Sequence, residues 1–361
     1  MRRFLASLAL AALMIGSAHA GASTGPELVI ADNDYLGPGG SNIQSVIPLL
    51  NNPKIRVLGL TVVAGDDWEN AESARIRRFL EISGHRDVPV FDGATQPLIN
   101  TVALTRLREQ QFGTLPWKGA WGGLGSMSKT PDTQPPVATT PDGAPTLQPQ
   151  GIPAALFMIQ QVHAHPHQVT IIEAGPMTNL ALAIRLDPSF ADTAKQLVFM
   201  GGYLDLSMMS VTGNADNGSD FNLIFDPEAA HITLTAPWAR ITSVANVSND
   251  VVLSKDEVAA IARDHKTPVT DYLVKYNVPL AMWDEVTSAI VADPALVTKA
   301  QDAYMDVEMG KGIGYGHAYV WPDSLAPKAM GVRKVRIVQS IDVDRFKKDY
   351  TAWAQGFMGK H

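Results

Sequence analysis

Runs rich in valine, isoleucine and leucine recur along the chain and stop abruptly: ELVIA before Asp32, then VLGLTVVAG, VTIIEAG, QLVFMGG and ITSVANV. Continuous apolar runs of this length read as strands buried on both faces. Helix-patterned segments lie between them: Ser41 to Leu50, Glu69 to Ser83, IPAALFMIQQVHAH, MTNLALAIRL, DPEAAHITLTA and SKDEVAAIARDH. PVFDG reads as a further short strand and VRKVRIVQSIDV as a late one. Strands alternating with helices predict an α/β fold, a mostly parallel central sheet with helices on both faces.

In such sheets ligands bind beyond the carboxyl ends of the strands, and there this chain places its acidic and glycine-rich stretches. The pattern lapses from about 101 to 149, where Pro, Gly, Thr and Trp dominate; this segment is expected to be an irregular insertion over one face. The N-terminus has Arg2 and Arg3, the apolar run FLASLALAALMIG and then SAHA. That pattern predicts a signal peptide over residues 1–20, cleaved after about Ala20, and a periplasmic or secreted protein of one domain from 26 to 361. The net charge of −7 lacks the basic balance of a nucleic-acid binder. With no cysteine, no disulfide or thiol chemistry is available.

Asp32 and Asp34 close the first strand. Spaced i and i+2 on extended chain, their side chains point the same way. A turn or a helix cap accounts for one of them; two together suit a hard cation held by oxygen ligands. Other strand ends offer Gly65-Asp66-Asp67, Ala174 to Asn179 and Met200-Gly201-Gly202. The run TGNADNGSDFN, Thr212 to Asn222, is too polar for a core and is either a solvated loop or part of a site. Asp284 stands near the start of a helix, where capping is the plain alternative. His163, His165 and His167 alternate before a strand and are expected to sit in a surface loop.

GNADNGSDFNLIFDPEAA and AGPMTNLALAIRLDP resemble the corresponding segments of the inosine-uridine-preferring nucleoside hydrolases. The Met-Gly-Gly strand end, VLGLTVVAG and PVFDGATQPL match in the same order along most of the chain. The first motif, Asp-Asn-Asp before a glycine-rich stretch, and LPWKG at Leu115 to Gly119 resemble a secreted branch of that family. The resemblance implies a nucleoside hydrolase-like (Rossmann-like) fold. It also implies hydrolysis of the N-glycosidic bond of nucleosides to ribose and free base, through a calcium-bound water activated by an aspartate. A homo-oligomer is implied as well, dimers and tetramers being common in the family; no nucleic acid or membrane partner is.

Residue by residue, Asp34 matches the calcium ligand and general base. Asp284 matches a late calcium ligand, and Ala174 the residue whose carbonyl completes the metal site. Asn222 matches an asparagine holding the ribose; Asn214 and Asp220 match groups at its 5′ end, and Met200 lines the sugar pocket. Asp32 and Asp66 fall where residues support the metal. The match departs at Ser41 and Asn42, which stand where paired aspartates are usual, one for the ribose 2′-hydroxyl and one for calcium. Asn42 can still offer an amide oxygen, without charge. Trp283 replaces a histidine associated with the leaving base; it can stack on a base but cannot exchange protons near neutrality.

Three functions follow. The first is a secreted nucleoside hydrolase. The second is a hydrolase of another N-ribosyl or glycosyl compound, suggested by Ser41, Trp283 and the insertion's Trp117 and Trp121. The third is a nucleoside- or sugar-binding protein with a degenerate metal site, suggested by the two missing carboxylates.

Overall fold

A computed structural model describes residues 25–204, 220–249 and 251–356. The expected signal peptide and Asn214 lie outside the described residues. Nine strands form one sheet: β1 (Glu27–Asn33), β2 (Ile55–Val62), β3 (Val90–Phe91), β4 (Val169–Glu173), β5 (Gln196–Met200), β6 (Ile241–Val244), β7 (Val297–Val307), β8 (Ala318–Trp321) and β9 (Arg333–Ile341). Their order across the sheet is β3-β2-β1-β4-β5-β6-β9-β7-β8. β1 to β6 and β9 run parallel, while β7 is antiparallel to both β8 and β9. The parallel, helix-covered sheet expected from the sequence is the core of this architecture.

The apolar runs are continuous because both faces are covered. Val29, Ala31, Ile172 and Val198 point into one buried cluster, and their alternates Ile30, Ile171, Leu197 and Phe199 into the other. Each successive side chain thus finds a helix-covered core. The chain runs from β1 outward to β2 and β3, then returns to place β4 on the other side of β1. A crevice opens at such a reversal, beyond the carboxyl ends of the two strands. Here it lies between β1 and β4, so Asp34 and Ala174 flank it.

Two elements differ from expectation. The helix expected over Ser41 to Leu50 is two short ones, Ser41–Gln44 and Ile47–Leu50, because Pro48 in the first turn of the second fits a fresh start better than a continuation. The insertion begins with a regular helix, Val102–Phe112, whose first turn is capped by the Thr101 side chain accepting from the Leu104 N–H. Beyond it the segment is irregular apart from two short 3-10 turns, Gly119–Trp121 and Met127–Lys129. Among the described residues no helix is long and apolar enough to cross a membrane.

Candidate active site

Asp34 lies just past β1 and is fully buried. Its Oδ2 accepts from the Asp66 backbone N–H at 2.8 Å and its Oδ1 from the Asn42 amide at 2.7 Å. Gly65 permits the first contact, since a Cβ there would stand 2.2 Å from Asp34 Oδ2. The Asn42 amide also favours the ionised form of Asp66. Burial pushes Asp34 well above the usual carboxylate range, and the charges of Asp66 and then Asp284 add to it. Asp66 is pushed to about 6, chiefly by burial, against the pull of its bonds from Trp117 and Asn42.

Asp284 arrives from the helix Trp283–Ala292, which is buried from Asp284 onward. It does not cap that helix. Its own N–H is capped instead from a distant segment, donating to Ser41 Oγ at 2.8 Å, while that hydroxyl donates to Glu285 Oε2 at 2.6 Å. Ser41 therefore ties the glycine-rich loop to this helix and already has partners for its hydroxyl. Asp284 Oδ2 accepts from the Asn33 amide at 3.1 Å. Burial, then the neighbouring Glu285 charge, raises Asp284 well above its ordinary value.

Beneath this layer lies a second. Asp32 and Glu173 are register partners on β1 and β4, both fully buried. Asp32 Oδ1 accepts from Asn179 at 2.9 Å and Glu173 Oε1 from the Gly175 N–H at 2.9 Å. Their remaining oxygens, Asp32 Oδ2 and Glu173 Oε2, are buried without a hydrogen-bond partner. Burial raises both, Asp32 to about 6 and Glu173 well above its ordinary value, with the charge of Asp32 adding to the rise of Glu173.

On the far wall, Asn222 donates to the Ala174 carbonyl at 3.2 Å and the Met200 carbonyl at 3.4 Å, spanning the ends of β4 and β5. Asp220 accepts from the Gly202 and Leu223 N–H groups at 3.0 and 3.2 Å, capping the helix Phe221–Phe225. Trp283 donates its indole N–H to Asn249 at 3.2 Å.

A cavity of about 530 Å³ opens over these groups. Its floor includes Ser41, Asn42, Asp66, Ala174, Met200, Asp220, Asn222 and Asp284; its walls are apolar, Leu36, Leu115, Trp117, Leu204, Phe221 and Trp283 among them. Asp34 does not line the cavity itself, being covered by Asn42 and Asp66. The structure thus brings together Asp34, Ser41, Asn42, Asp66, Ala174, Met200, Asp220, Asn222, Trp283 and Asp284, with Asp32 one layer below, whereas Trp121 is buried in a separate cluster with Trp68 and Phe225 and does not line the cavity. Sequence reasoning gave no role to Asn33, Asn179, Glu173 and Glu285, whose partners are distant in sequence. Asn33 was in view, as the middle of Asp-Asn-Asp, but its link to Asp284 spans 251 residues.

The donors suit a hard divalent cation by chemistry and charge: carboxylates of Asp34 and Asp284, the Ala174 carbonyl, and the Asn42 amide oxygen once that side chain turns. Three carboxylates, Asp34, Asp66 and Asp284, act on one another here, and Arg75, which packs beside Gly37 of the adjoining loop, is paired with Asp67 at 2.6 Å. Among the described residues, no three His, Cys, Asp or Glu side chains already converge as a ligand set. The match is therefore one of donor type and surplus negative charge.

Residues 29–348 match the family model described as inosine-uridine preferring nucleoside hydrolase. The chain is 30% identical over 277 residues to a probable uridine nucleosidase 2 of Arabidopsis thaliana, covering 75% of this chain and 76% of that one. It is 27% identical over 334 residues to the inosine-uridine preferring nucleoside hydrolase of Leishmania major, covering 89% and 95%. Among solved structures, a purine-preferring ribonucleoside hydrolase from Gardnerella vaginalis superposes with a TM-score of 0.69 at 18% identity, over 92% of this chain and 99% of that one. An acid-lined crevice at the β1–β4 reversal, and a family match spanning both the strands that build it and the helix that brings Asp284, place this chain in the inosine-uridine preferring nucleoside hydrolase family.

Proposed function

We propose that this protein hydrolyses the N-glycosidic bond of nucleosides, releasing ribose and a free base, with calcium as its cation. The observation that carries the proposal is Asp34, a buried carboxylate facing Asp66 and Asp284 below a cavity with a polar floor and apolar walls. Cleavage of this bond builds positive charge on the sugar, which the acid-rich floor favours. A calcium ion held by Asp34, Asp284, the Ala174 carbonyl and Asn42 would supply activation and orientation of a water nucleophile. Asp34 takes the proton from the attacking water once the Asn42 amide swings off its Oδ1. Asp220 and Asn222, with Asn214, hold sugar hydroxyls, Met200 lines the sugar pocket, and Trp283 packs against the base.

The signal-peptide pattern at the N-terminus supports action outside the cytoplasm on exogenous nucleosides, and the family resemblance supports a homo-oligomer. The test is release of free ribose from a panel of nucleosides with calcium present, with Asp34→Asn alongside. The expected result is turnover that falls about 10²–10⁴-fold in the variant. No release from any nucleoside overturns the proposal. The apolar walls favour a second reading, in which the substrate is another N-ribosyl compound with a larger apolar leaving group. That reading loses its support if common ribonucleosides are turned over at roughly 10⁴ M⁻¹s⁻¹ or better.

A further inference from the structure

The Leu115–Trp121 segment is docked against the end of β2. The Ala120 N–H donates to the Gly65 carbonyl at 2.9 Å. Gly119, at φ +52°, approaches so closely that a Cβ would stand 2.1 Å from the same oxygen. The Lys118 side chain is fully buried beneath the turn, its Nζ donating to the Leu115 carbonyl at 3.1 Å and facing Glu109 at 3.4 Å. At the head of this turn the Trp117 indole N–H donates to Asp66 Oδ1 at 2.5 Å, and its ring stands edge-on to Phe221. Asp66 in turn donates its backbone N–H to Asp34 at 2.8 Å. An unbroken chain of contacts therefore runs from the insertion to the buried carboxylate.

We propose that Trp117 is a positioning residue for the hydrolytic reaction: by holding the Asp66 side chain it fixes the Asp66 N–H on Asp34. This rests on the hydrolase reading above. On this view the insertion is part of the site's supporting frame. Asp66 lines the cavity, and without the indole bond its side chain would be free to change rotamer and shift its backbone N–H off Asp34. The indole bond keeps one carboxylate oxygen engaged and leaves the backbone N–H as the face Asp66 presents to Asp34. Partners that orient a functional carboxylate typically cost 10–100-fold in activity when removed.

Two measurements test it. In the first, the indole N–H resonances of the protein's seven tryptophans are recorded, and Trp117→Phe identifies the Trp117 signal by its loss. Asp66→Ala is expected to move that signal more than the other indoles and to speed its exchange with solvent; an unmoved signal overturns the proposal whatever the enzyme's activity. In the second, Trp117→Phe is expected to lower kcat about 10–100-fold with KM held within about twofold, and to add nothing further in an Asp66→Ala background. Trp117→His, which keeps a ring N–H, should recover part of the loss. A rise in KM at unchanged kcat, additivity with Asp66→Ala, or no recovery by histidine would each overturn the positioning role. Wild-type protein inert toward every nucleoside counts against the hydrolase reading, and the indole measurement then decides the contact by itself.

Discussion

Replacing Asn42 with aspartate tests the floor of the site directly. In the wild type the Asn42 amide donates to Asp34 Oδ1 at 2.7 Å and favours the ionised form of Asp66. The variant removes a hydrogen bond to a charged group, worth about 1.5–3 kcal/mol. It also sets a further carboxylate against Asp34, which Asp66 and Asp284 already face. At an effective dielectric of about 20, unit charges about 4 Å apart repel by about 4 kcal/mol, an upper bound because one carboxyl can take a proton instead. A net loss of about 2–4 kcal/mol follows in the presence of a chelator. For a chain of this size that is about 4–8 °C in melting temperature, at about 2 °C per kcal/mol. Calcium reverses the sign, because the new carboxylate joins Asp34 and Asp284 as a ligand. At a free concentration of about 100 times the dissociation constant the ion returns about 2.7 kcal/mol, and the variant should gain more from calcium than the wild type does. The assay is a pair of thermal melts, in chelator and in calcium, for both proteins. If Asn42→Asp melts with the wild type in chelator, the Asn42 amide is not holding Asp34. If calcium raises the variant no further than the wild type, this floor is not a cation site.

Three further outcomes are expected. Gly119→Ala should cost several-fold more stability than Gly84→Ala in the same melts: both glycines have positive φ, but a Cβ at 119 meets the Gly65 carbonyl at 2.1 Å while one at 84 meets nothing within 4 Å. Glu81 is held at about 2 although burial works against it, because Thr146, Leu147 and Arg78 donate to it. Its contribution is therefore full above about pH 4.5 and is lost as pH falls toward 2, so the stability gap between wild type and Glu81→Gln, followed by chemical denaturation, should narrow below about 4.5. His231 is raised by its bond to Asp306. The wild type's advantage over His231→Ala should be greatest below about pH 6.5 and shrink as pH rises through the raised value, as denaturation at a series of pH values would report.

The parallel half of the sheet was legible because its strands are apolar on both faces, and a run such as VTIIE can satisfy nothing else. β7 was not. Thr298, Lys299, Gln301 and Asp302 are exposed on it, so VTKAQDAYMDV carries neither a continuous run nor a clean alternation, and its place beside β9 comes from tertiary pairing. The helix Val102–Phe112 was hidden for a similar reason: Leu104 and Leu107 are exposed and its buried side includes Thr105 and Arg108, so the apolar stripe that marks a helix is weak. In the site, the strand-end aspartates declared themselves by position. Their holders did not, since Ser41 meets Glu285 across 244 residues and Trp117 meets Asp66 across 51. Such contacts depend on how the ends of β1 and β2 close together, which no local pattern encodes.

The two acid layers bear on each other. Asp32, Asp34, Glu173, Asp284 and Glu285 are each at most 3% exposed, and burying that many charges would be prohibitive if all stayed ionised and unpartnered. The lower layer answers the conflict internally, with Asp32 and Glu173 side by side, both raised by burial, and drawing donors from Asn179 and the Gly175 N–H. The upper layer does so less fully: Asp34, Asp66 and Asp284 receive amide, indole and backbone donors, and among the described residues lining the cavity there is no lysine or arginine. Apolar packing would have made this region more stable, so a stability argument alone does not explain why the acids are there. Their placement does: the lower pair fixes β1 against β4, while the upper carboxyls, held above their ordinary range by burial, meet the cavity, where a cation or a developing positive charge on a sugar would favour their ionised form.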